Sequence, residues 1–254
     1  MNKLTLASAI LAVFMGSVAQ AEEAAPTPEH VVAYNVGATS DYRFRGISQS
    51  RGDPAVFAGI DYTHSPTGFY VGAWTSTIKW VKDAGSSAGS YELDIYGGKR
   101  GQVGEFAYDV GLISYNYPGN KLKAVTGANA NTVEAFAQIG YSFATLKYSY
   151  ALTDFIGWAP NSDGSDYFDL SLNPEIKDGY ILNLHVGHQR VKNYSNGLAN
   201  YTDWKVGVTK DYGVLVGALA VVGTDADKST SGYNFGGKGY LGDTKLVLTL
   251  TKNF

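Results

Sequence analysis

The last ten residues of the chain, KLVLTLTKNF at 245–254, alternate between apolar and polar side chains. Leu246, Leu248 and Leu250 fall on one phase of this alternation, and the two threonines fall on the other. A repeat of two residues places successive side chains on opposite faces of a β-strand. The stretch therefore predicts a strand with one apolar face and one polar face.

The same alternation recurs from residue 31 onward, in runs that are separated by short and long connections in turn. About 12 strands result, with tight turns at one end and longer loops at the other, a pattern typical of transmembrane barrels. We therefore predict an all-β fold, a transmembrane antiparallel up-and-down β-barrel over 31–254. About 14 strands would result if 232–240 also formed a strand.

The phase of the alternation also predicts how individual strands face. The first run keeps its phase across Ser40, so a single strand is expected over 31–45, with Tyr42 and Phe44 on the apolar face. The runs at 68–80 and 213–223 are apolar on both phases, which leaves their faces unassigned. No helical pattern occurs after the N-terminal leader.

The N-terminus has the features of a secretory leader. A lysine at position 3 precedes an apolar stretch at 4–18, and AQA at 19–21 has the small-x-small form of a cleavage site. We predict a signal peptide over 1–21 and a flexible lead over 22–30. No later stretch approaches about 18 apolar residues, so any membrane span has to be a strand.

A soluble periplasmic barrel would show the same alternation with its apolar face inside. Three features favour a membrane barrel with the apolar face towards lipid. The chain ends in an aromatic residue, tyrosines and Trp204 lie on the apolar phase near strand ends, and small residues could not fill so wide a barrel. We expect the cell outer membrane of a Gram-negative bacterium as the location, and its lipid as a partner.

The C-terminal residues resemble the assembly signal of bacterial outer-membrane barrels. This signal consists of Phe254, Leu250, Leu248 and Leu246, although Lys252 stands where an apolar residue is commoner. The resemblance implies the outer-membrane assembly machinery as a second partner.

Composition excludes several classes of function. The formal net charge is −3, which argues against a nucleic-acid partner because such proteins normally carry a basic face. The absence of cysteine and the presence of four histidines leave little material for a metal site. We expect no metal, no cofactor and no catalytic residue.

The polar phase would line the lumen, where carboxylates outnumber bases. The lumen and constriction candidates are Asp41, Arg43, Arg45, Asp61, Glu92, Asp94, Glu105, Asp109, Glu134, Lys147, Asp169, Asp203, Lys205 and Lys245. On one strand Arg43 and Arg45 would lie about 6.6 Å apart. They either form a charged constriction that sorts solutes or pair with carboxylates and brace the wall.

Several motifs resemble those of the TorF family of outer-membrane porins. SDYRFRGISQ at 40–49 is the most specific, and GFYVGAW at 68–74, ELDIYGG at 92–98, DVG at 109–111 and YNYPG at 115–119 add to it. The resemblance implies an outer-membrane β-barrel, but it brings no substrate and no site residues.

We expect a porin-like channel for passive transport of small polar or charged solutes. One alternative is a surface-interaction barrel, whose loops at 161–166 and 224–227 carry oxygen ligands suited to calcium. Another is an outer-membrane hydrolase that uses His185, which falls on the inward phase. The pattern specifies neither the solute nor the oligomeric state.

Overall fold

The computed structural model of this chain describes residues 28–254. The predicted signal peptide over 1–21 and most of the lead that follows it lie outside the described residues.

Twelve antiparallel strands close into a barrel, which confirms the predicted fold. In chain order, the strands are β1 (His30–Thr39), β2 (Arg43–Phe44), β3 (Ile47–Ser48), β4 (Ala55–His64), β5 (Phe69–Thr77), β6 (Tyr91–Val103), β7 (Phe106–Asn116), β8 (Thr132–Tyr141), β9 (Ala144–Ala151), β10 (Asp166–Leu172), β11 (Glu175–Lys177), β12 (Tyr180–Arg190), β13 (Tyr201–Asp211), β14 (Val216–Thr224) and β15 (Lys245–Asn253). The pairing of β15 with β1 and of β10 with β12 completes the ring. β2 and β3 stand apart from the wall as a separate hairpin, and β11 only extends the edge of β12.

The two ends of the barrel differ. Short turns join the strands at the end where β1 begins and β15 finishes, which we call the short-turn end. Loops of ten residues or more join them at the opposite, long-loop end, as between β5 and β6 or β14 and β15. The segment at 232–240 contains a 3₁₀ turn at Phe235–Gly237 and no strand, so the wall has 12 strands and not 14.

Short helices occur in the long loops, so the expectation of no helix was wrong. Helix α1 covers Trp80–Asp83, helix α2 covers Lys123–Thr126, and a second 3₁₀ turn covers Ser195–Gly197. Each helix is a single turn, too short to produce a periodic pattern in the sequence. Among residues 28–254, no helix has the length and apolar character needed to cross a membrane.

The apolar phase of the wall faces outward and the polar phase faces inward. Leu248 on the outer face is 46% exposed, whereas Glu92 and Asp94 on the inner face are at most 2% exposed. The two runs left unassigned differ, because apolar side chains occupy some of their inward positions as well. In β5 the inward residues include Trp74 and Ser76, and in β14 they include Val222.

A buried aromatic cluster fills the long-loop half of the barrel interior. Side chains from the long loops and from the inward-facing strand positions form it. Its larger members are Ile47, Trp74, Trp80, Tyr115, Tyr117, Leu122, Phe155, Tyr201, Tyr233 and Leu241.

The first strand is shorter than the alternation predicts. β1 ends at Thr39, and residues 43–48 turn inward as the β2–β3 hairpin, here called the inner hairpin. Its two loop residues, Arg45 and Gly46, have φ of 47° and 78°, as a two-residue type I′ turn requires. Tyr42 and Phe44 consequently point into the barrel and not towards the outer surface. Phe44 packs edge-on against Tyr115, with ring centroids 5.3 Å apart.

Candidate functional site

The inner hairpin lies against the interior wall at the long-loop end. Gly46 at its tip sits so close to β13 and β14 that an added Cβ would lie 2.6 Å from side-chain carbons of both Asp203 and Thr224. Glycine is therefore needed here both for its positive φ and for the close approach.

Arg45 crosses the interior from the tip of this hairpin. Its Nη2 lies 2.6 Å from Glu134 Oε2, and its Nη1 donates to Gln189 Oε1 at 2.7 Å. The guanidinium also stacks over the ring of Tyr167, 4.3 Å from the centroid. Burial alone would lower the pKa of Arg45, but the Glu134 carboxylate outweighs that effect and raises it, so the guanidinium stays charged.

Arg43 braces the base of the hairpin. Its Nε donates to Asp41 Oδ2 at 2.7 Å, and its Nη1 donates to the backbone carbonyls of Gly46 and Asp243. Asp41 in turn accepts hydrogen bonds from the hydroxyls of Ser48 and Ser50. Both arginines are thus paired with carboxylates, as the bracing alternative requires, and they lie on a folded hairpin, not on one wall strand.

The wall beneath the hairpin is acidic. Tyr42 in the chain leading into the hairpin donates to Glu92 Oε1 at 2.7 Å, and Asp94 lies on the same inner face of β6. Among the described residues, Asp94 Oδ1 and Glu134 Oε1 are buried without a hydrogen-bond partner. Carboxylates therefore exceed bases in this half, and Arg45 supplies a compensating positive charge.

The short-turn half of the interior carries charges of both signs on the strands from β4 to β13. We call this surface the charged wall, and its members are Asp61, Arg100, Asp109, Lys147, Asp169, His185 and Lys205. All of these side chains are half-buried.

Aromatic residues position these charges. Tyr96 donates to Asp61 at 2.8 Å, and Tyr70 donates to Asp109 at 2.7 Å. The guanidinium of Arg100 lies 4.5 Å from the centroid of the Tyr70 ring, a cation–π contact.

His185 lies between Asp169 of the charged wall and Asp203. Its Nε2 is 2.7 Å from Asp203 Oδ2, and its Nδ1 is 3.2 Å from Asp169 Oδ2. The hydroxyl of Ser171 is 3.3 Å from the same Nδ1. Because both ring nitrogens face carboxylate oxygens, this arrangement suits an imidazolium that donates twice.

Apart from the charged wall, Asp203 and the acidic wall beneath the hairpin, the described part of the interior wall carries no charge. This uncharged part is formed by the inward residues of β14, β15 and β1, which we call the neutral wall. These residues are Asn35, Ala218, Ala220, Val222, Val247 and Thr249. The interior therefore carries charge on one side and small uncharged groups on the other.

Most of the lumen candidates do lie on the inner face of the wall. These are Asp61, Glu92, Asp94, Asp109, Glu134, Lys147, Asp169, Asp203 and Lys205. Two others differ from the expectation. Glu105 is not on the wall, because it lies in the turn between β6 and β7 with its side chain exposed. Lys245 begins β15 at the long-loop rim and is also exposed.

Sequence reasoning missed several interior residues. Arg100 lies near the end of β6, which runs on to Val103 and places Arg100 on the inner face opposite Asp109. Tyr70 and Tyr96 were missed because tyrosine reads as an apolar residue, although buried tyrosines normally find a hydrogen-bond partner. Gly46 was the available signal for the hairpin, as a residue that tolerates positive φ.

In the two loops with oxygen ligands, three of the four carboxylates are engaged within the chain, and the fourth, Asp163, is exposed. Asp166 pairs with Arg190, and Asp225 accepts the backbone N–H of Thr202 at 2.6 Å. Asp227 likewise accepts hydrogen bonds from Ser229. The arrangement gives no support to a calcium site.

Comparison with known proteins places the chain in a family. A family model described as a bacterial protein of unknown function (Gcw_chp) matches residues 23–254. The chain belongs to the Gcw_chp family. No curated protein matches its sequence.

Two solved structures share the fold of this Gcw_chp protein. The KdgM porin, solved in complex with disordered oligogalacturonate, has a TM-score of 0.53 at 7% identity, over 88% of this chain and 98% of that one. The COG4313 outer membrane channel from Pseudomonas putida F1 has a TM-score of 0.53 at 11% identity, over 93% of this chain and 100% of that one. At these identities the similarity establishes the porin-type barrel fold alone.

Proposed function

We propose that this Gcw_chp protein is an outer-membrane channel for passive diffusion of small polar or charged solutes. The observation that carries the proposal is the closed 12-stranded barrel with an apolar outer face and a charged interior. A closed ring pairs the backbone groups of the wall strands, which hydrocarbon requires because an unpaired group there costs several kcal/mol. The resemblance to TorF porins points to the same role.

The outer surface supports the proposed location in the outer membrane. Tyr141 and Tyr180 are exposed near the short-turn end, and Tyr91 and Trp204 are exposed near the long-loop end. Aromatic side chains at both ends of an apolar band are typical of the two lipid interfaces. This arrangement is the reverse of a soluble barrel, whose apolar side chains would be enclosed.

The interior supports a channel that the inner hairpin constricts. The short-turn half is polar and half-buried, whereas the hairpin and the aromatic cluster fill the long-loop half. We propose that the hairpin and its Arg45 anchor set the width of the path and the size of solute that passes. Charges of both signs on the charged wall favour small polar or ionic solutes over apolar ones.

Planar-bilayer recording of the purified protein tests the proposal. Discrete conductance steps are expected, together with liposome swelling in small sugars and amino acids but not in large oligosaccharides. Folded barrel that inserts into the bilayer without producing steps or swelling would overturn the channel. Insertion itself is checked by protease protection, so that a failure of insertion is not read as a closed pore.

A hydrolase is the second candidate, because Ser171, His185 and Asp203 lie in contact like a catalytic triad. Two features oppose it. The hydroxyl of Ser171 donates to Asp169 at 2.8 Å, and the second carboxylate on His185 favours an imidazolium, which cannot accept the serine proton. Assay of lipid A and phospholipid turnover by the same preparation separates this candidate from the channel, because a channel would leave both lipids unchanged.

A further inference from the structure

Three potential metal ligands converge at the short-turn rim, outside the lumen. They are Glu29, His30 and His64, and their ligand atoms all lie within 4.8 Å of one another. The Nε2 atom of His64 is 3.3 Å from Glu29 Oε1, and the Nε2 atom of His30 is 3.8 Å from the same oxygen. Two imidazole nitrogens and one carboxylate oxygen thus surround a common point.

The orientation of both imidazoles is fixed by the other ring nitrogen. His30 Nδ1 lies 2.8 Å from the hydroxyl of Tyr62, and His64 Nδ1 lies 2.7 Å from the hydroxyl of Thr67. Metal-bound histidines typically hydrogen-bond through the second nitrogen in this way, which sets the tautomer and aims the first nitrogen at the ion. The two Nε2 atoms are therefore free to ligate.

The backbone holds the three groups together without a metal. His30 and His64 are directly opposite in the antiparallel register of β1 and β4. Ser65 donates its backbone N–H to the carbonyl of Glu29 at 2.9 Å and its hydroxyl to the carbonyl of Pro28 at 2.7 Å. The site is thus assembled from a strand pair and a pinned N-terminal segment.

We propose that Glu29, His30 and His64 bind one Zn²⁺ ion, with water in the fourth position. In a tetrahedral site with bonds of about 2.0–2.2 Å, ligand atoms lie about 3.3–3.5 Å apart. The two histidine nitrogens lie 3.3 and 3.8 Å from Glu29 Oε1, so a small inward movement of His30 would complete the site. The side chains of Glu29 and His30 are 65% and 61% exposed, so the ion can enter directly from solvent. The expectation of no metal site rested on composition, which does not show that strand register brings together His30 and His64, 34 residues apart.

The bound ion would clip the N-terminal segment to the turn between β4 and β5. That segment lies next to the strand whose edge receives the C-terminal residue, because Phe254 donates its backbone N–H to the carbonyl of Tyr34 at 2.9 Å. Zinc would therefore stabilise the seam at which β1 and β15 close the barrel. The role is independent of solute passage through the lumen.

Isothermal titration with ZnCl₂ tests the site on the full chain, folded in detergent and produced without a histidine tag. One equivalent of Zn²⁺ is expected to bind, and His64→Gln is expected to abolish this binding. The matched control is His188→Gln, which removes a histidine at the other end of the barrel, where its Nδ1 contacts Thr202. Equal zinc binding by the parent chain and His64→Gln would overturn the proposal, as would loss of binding in His188→Gln.

Two further variants test the zinc site even if His64→Gln fails to fold. Glu29→Gln lies before the first strand and should weaken zinc binding at least tenfold without altering the heat-modifiable migration of the folded barrel. Thr67→Val removes the hydrogen bond to His64 Nδ1, together with two long contacts of 3.4 Å to the backbone of His64 and Phe69, and should weaken zinc binding about tenfold. Unchanged zinc affinity in both variants would contradict the assigned ligands even if the His64 variant failed to fold.

Discussion

Arg45 and Glu134 form an ion pair across the barrel interior, with Nη2 and Oε2 2.6 Å apart and both side chains at most 7% exposed. The two residues are 89 positions apart in the chain, on the inner hairpin and on β8. The pair therefore anchors a segment that is not part of the wall to the wall itself.

Breaking this pair should destabilise the protein strongly. Arg45→Met leaves the Glu134 carboxylate buried and uncompensated, which typically costs about 3–5 kcal/mol. Urea unfolding of the folded barrel in lipid vesicles, followed by tryptophan fluorescence, measures the change in the free energy of unfolding.

The matched control is Arg51→Met. The side chain of Arg51 is 37% exposed and pairs with Asp83, which is only 3% exposed but which Lys238 also approaches at 3.5 Å. Because Lys238 remains beside the Asp83 carboxylate as a counter-charge, this variant should lose much less free energy of unfolding than Arg45→Met and should unfold at nearly the parental urea concentration. Equal losses in the two variants would contradict the anchoring role of Arg45.

The position of the hairpin is also open to test through Gly46. An alanine there would place a methyl carbon 2.6 Å from Asp203 and Thr224 and would strain a φ of 78°. Gly46→Ala should push the hairpin away from the wall, further into the lumen, and lower the single-channel conductance. Gly52→Ala is the control, because Gly52 has a similar φ of 75° but no atom within 4 Å of the added carbon. If both variants conduct alike, the hairpin does not constrict the path.

The barrel itself follows from the sequence because alternation is a property of each strand taken alone. Within one strand, successive side chains point to opposite faces whatever the other strands do. The alternation therefore predicts that the leucines of β15 face outward and the carboxylates of β6 face inward, and counting the alternating runs predicts the number of strands. The inner hairpin could not, because a chain that leaves the sheet at Ser40 and turns at Gly46 keeps the same alternating pattern. Whether Tyr42 and Phe44 face outward or into the barrel depends on contacts with residues that are far away in the sequence.

The partners of the candidate residues could not be predicted from the sequence for the same reason. Arg45 meets Glu134 only once the ring has closed and the hairpin has folded into it. His30 and His64 meet only through the register of two strands. Composition and spacing identify the types of residue that line the interior. Which of these residues pair with each other depends on strand register and on the folded position of the hairpin.

Removing both hairpin arginines should change ion selectivity. In Arg43→Ser plus Arg45→Ser, the carboxylates of Asp41 and Glu134 lose their partners, and the path becomes more acidic. Reversal potentials in a salt gradient should shift towards cation selectivity, because a negative wall concentrates cations. The recordings are made on barrel shown to be folded by its heat-modifiable migration.

The control for selectivity removes the same charge elsewhere. Arg51→Ser plus Arg190→Ser eliminates two arginines at the long-loop end, and the Arg190 side chain is 60% exposed. Salt screens exposed charges over about 10 Å, so the reversal potential should stay near the parental value. An equal shift in both double variants would show that the hairpin arginines do not govern the path.

The facing of the last strand gives a sharp stability prediction. Leu248 is 46% exposed on the outer face, so Leu248→Arg should cost about 2–4 kcal/mol if this face meets lipid near mid-membrane. Thr249 points inward, where its hydroxyl donates to that of Thr39 at 3.0 Å, and Thr249→Arg should be much milder. Unfolding in vesicles measures both. Equal costs would contradict the proposed lipid contact of the outer face.

The terminal phenylalanine should matter for assembly more than for packing. Its ring stacks on Tyr34 with centroids 5.1 Å apart, yet it is 53% exposed, so its removal opens no cavity. Deletion of Phe254 should sharply lower the amount of folded barrel in the outer membrane, while refolding of the purified chain in detergent stays close to normal. The control is Phe143→Ala, which removes an aromatic residue of similar exposure, 50%, from another short turn. Normal membrane levels after the deletion would exclude a terminal signal, whereas an equal loss in the Phe143 variant would leave only a general requirement for aromatic residues at this rim.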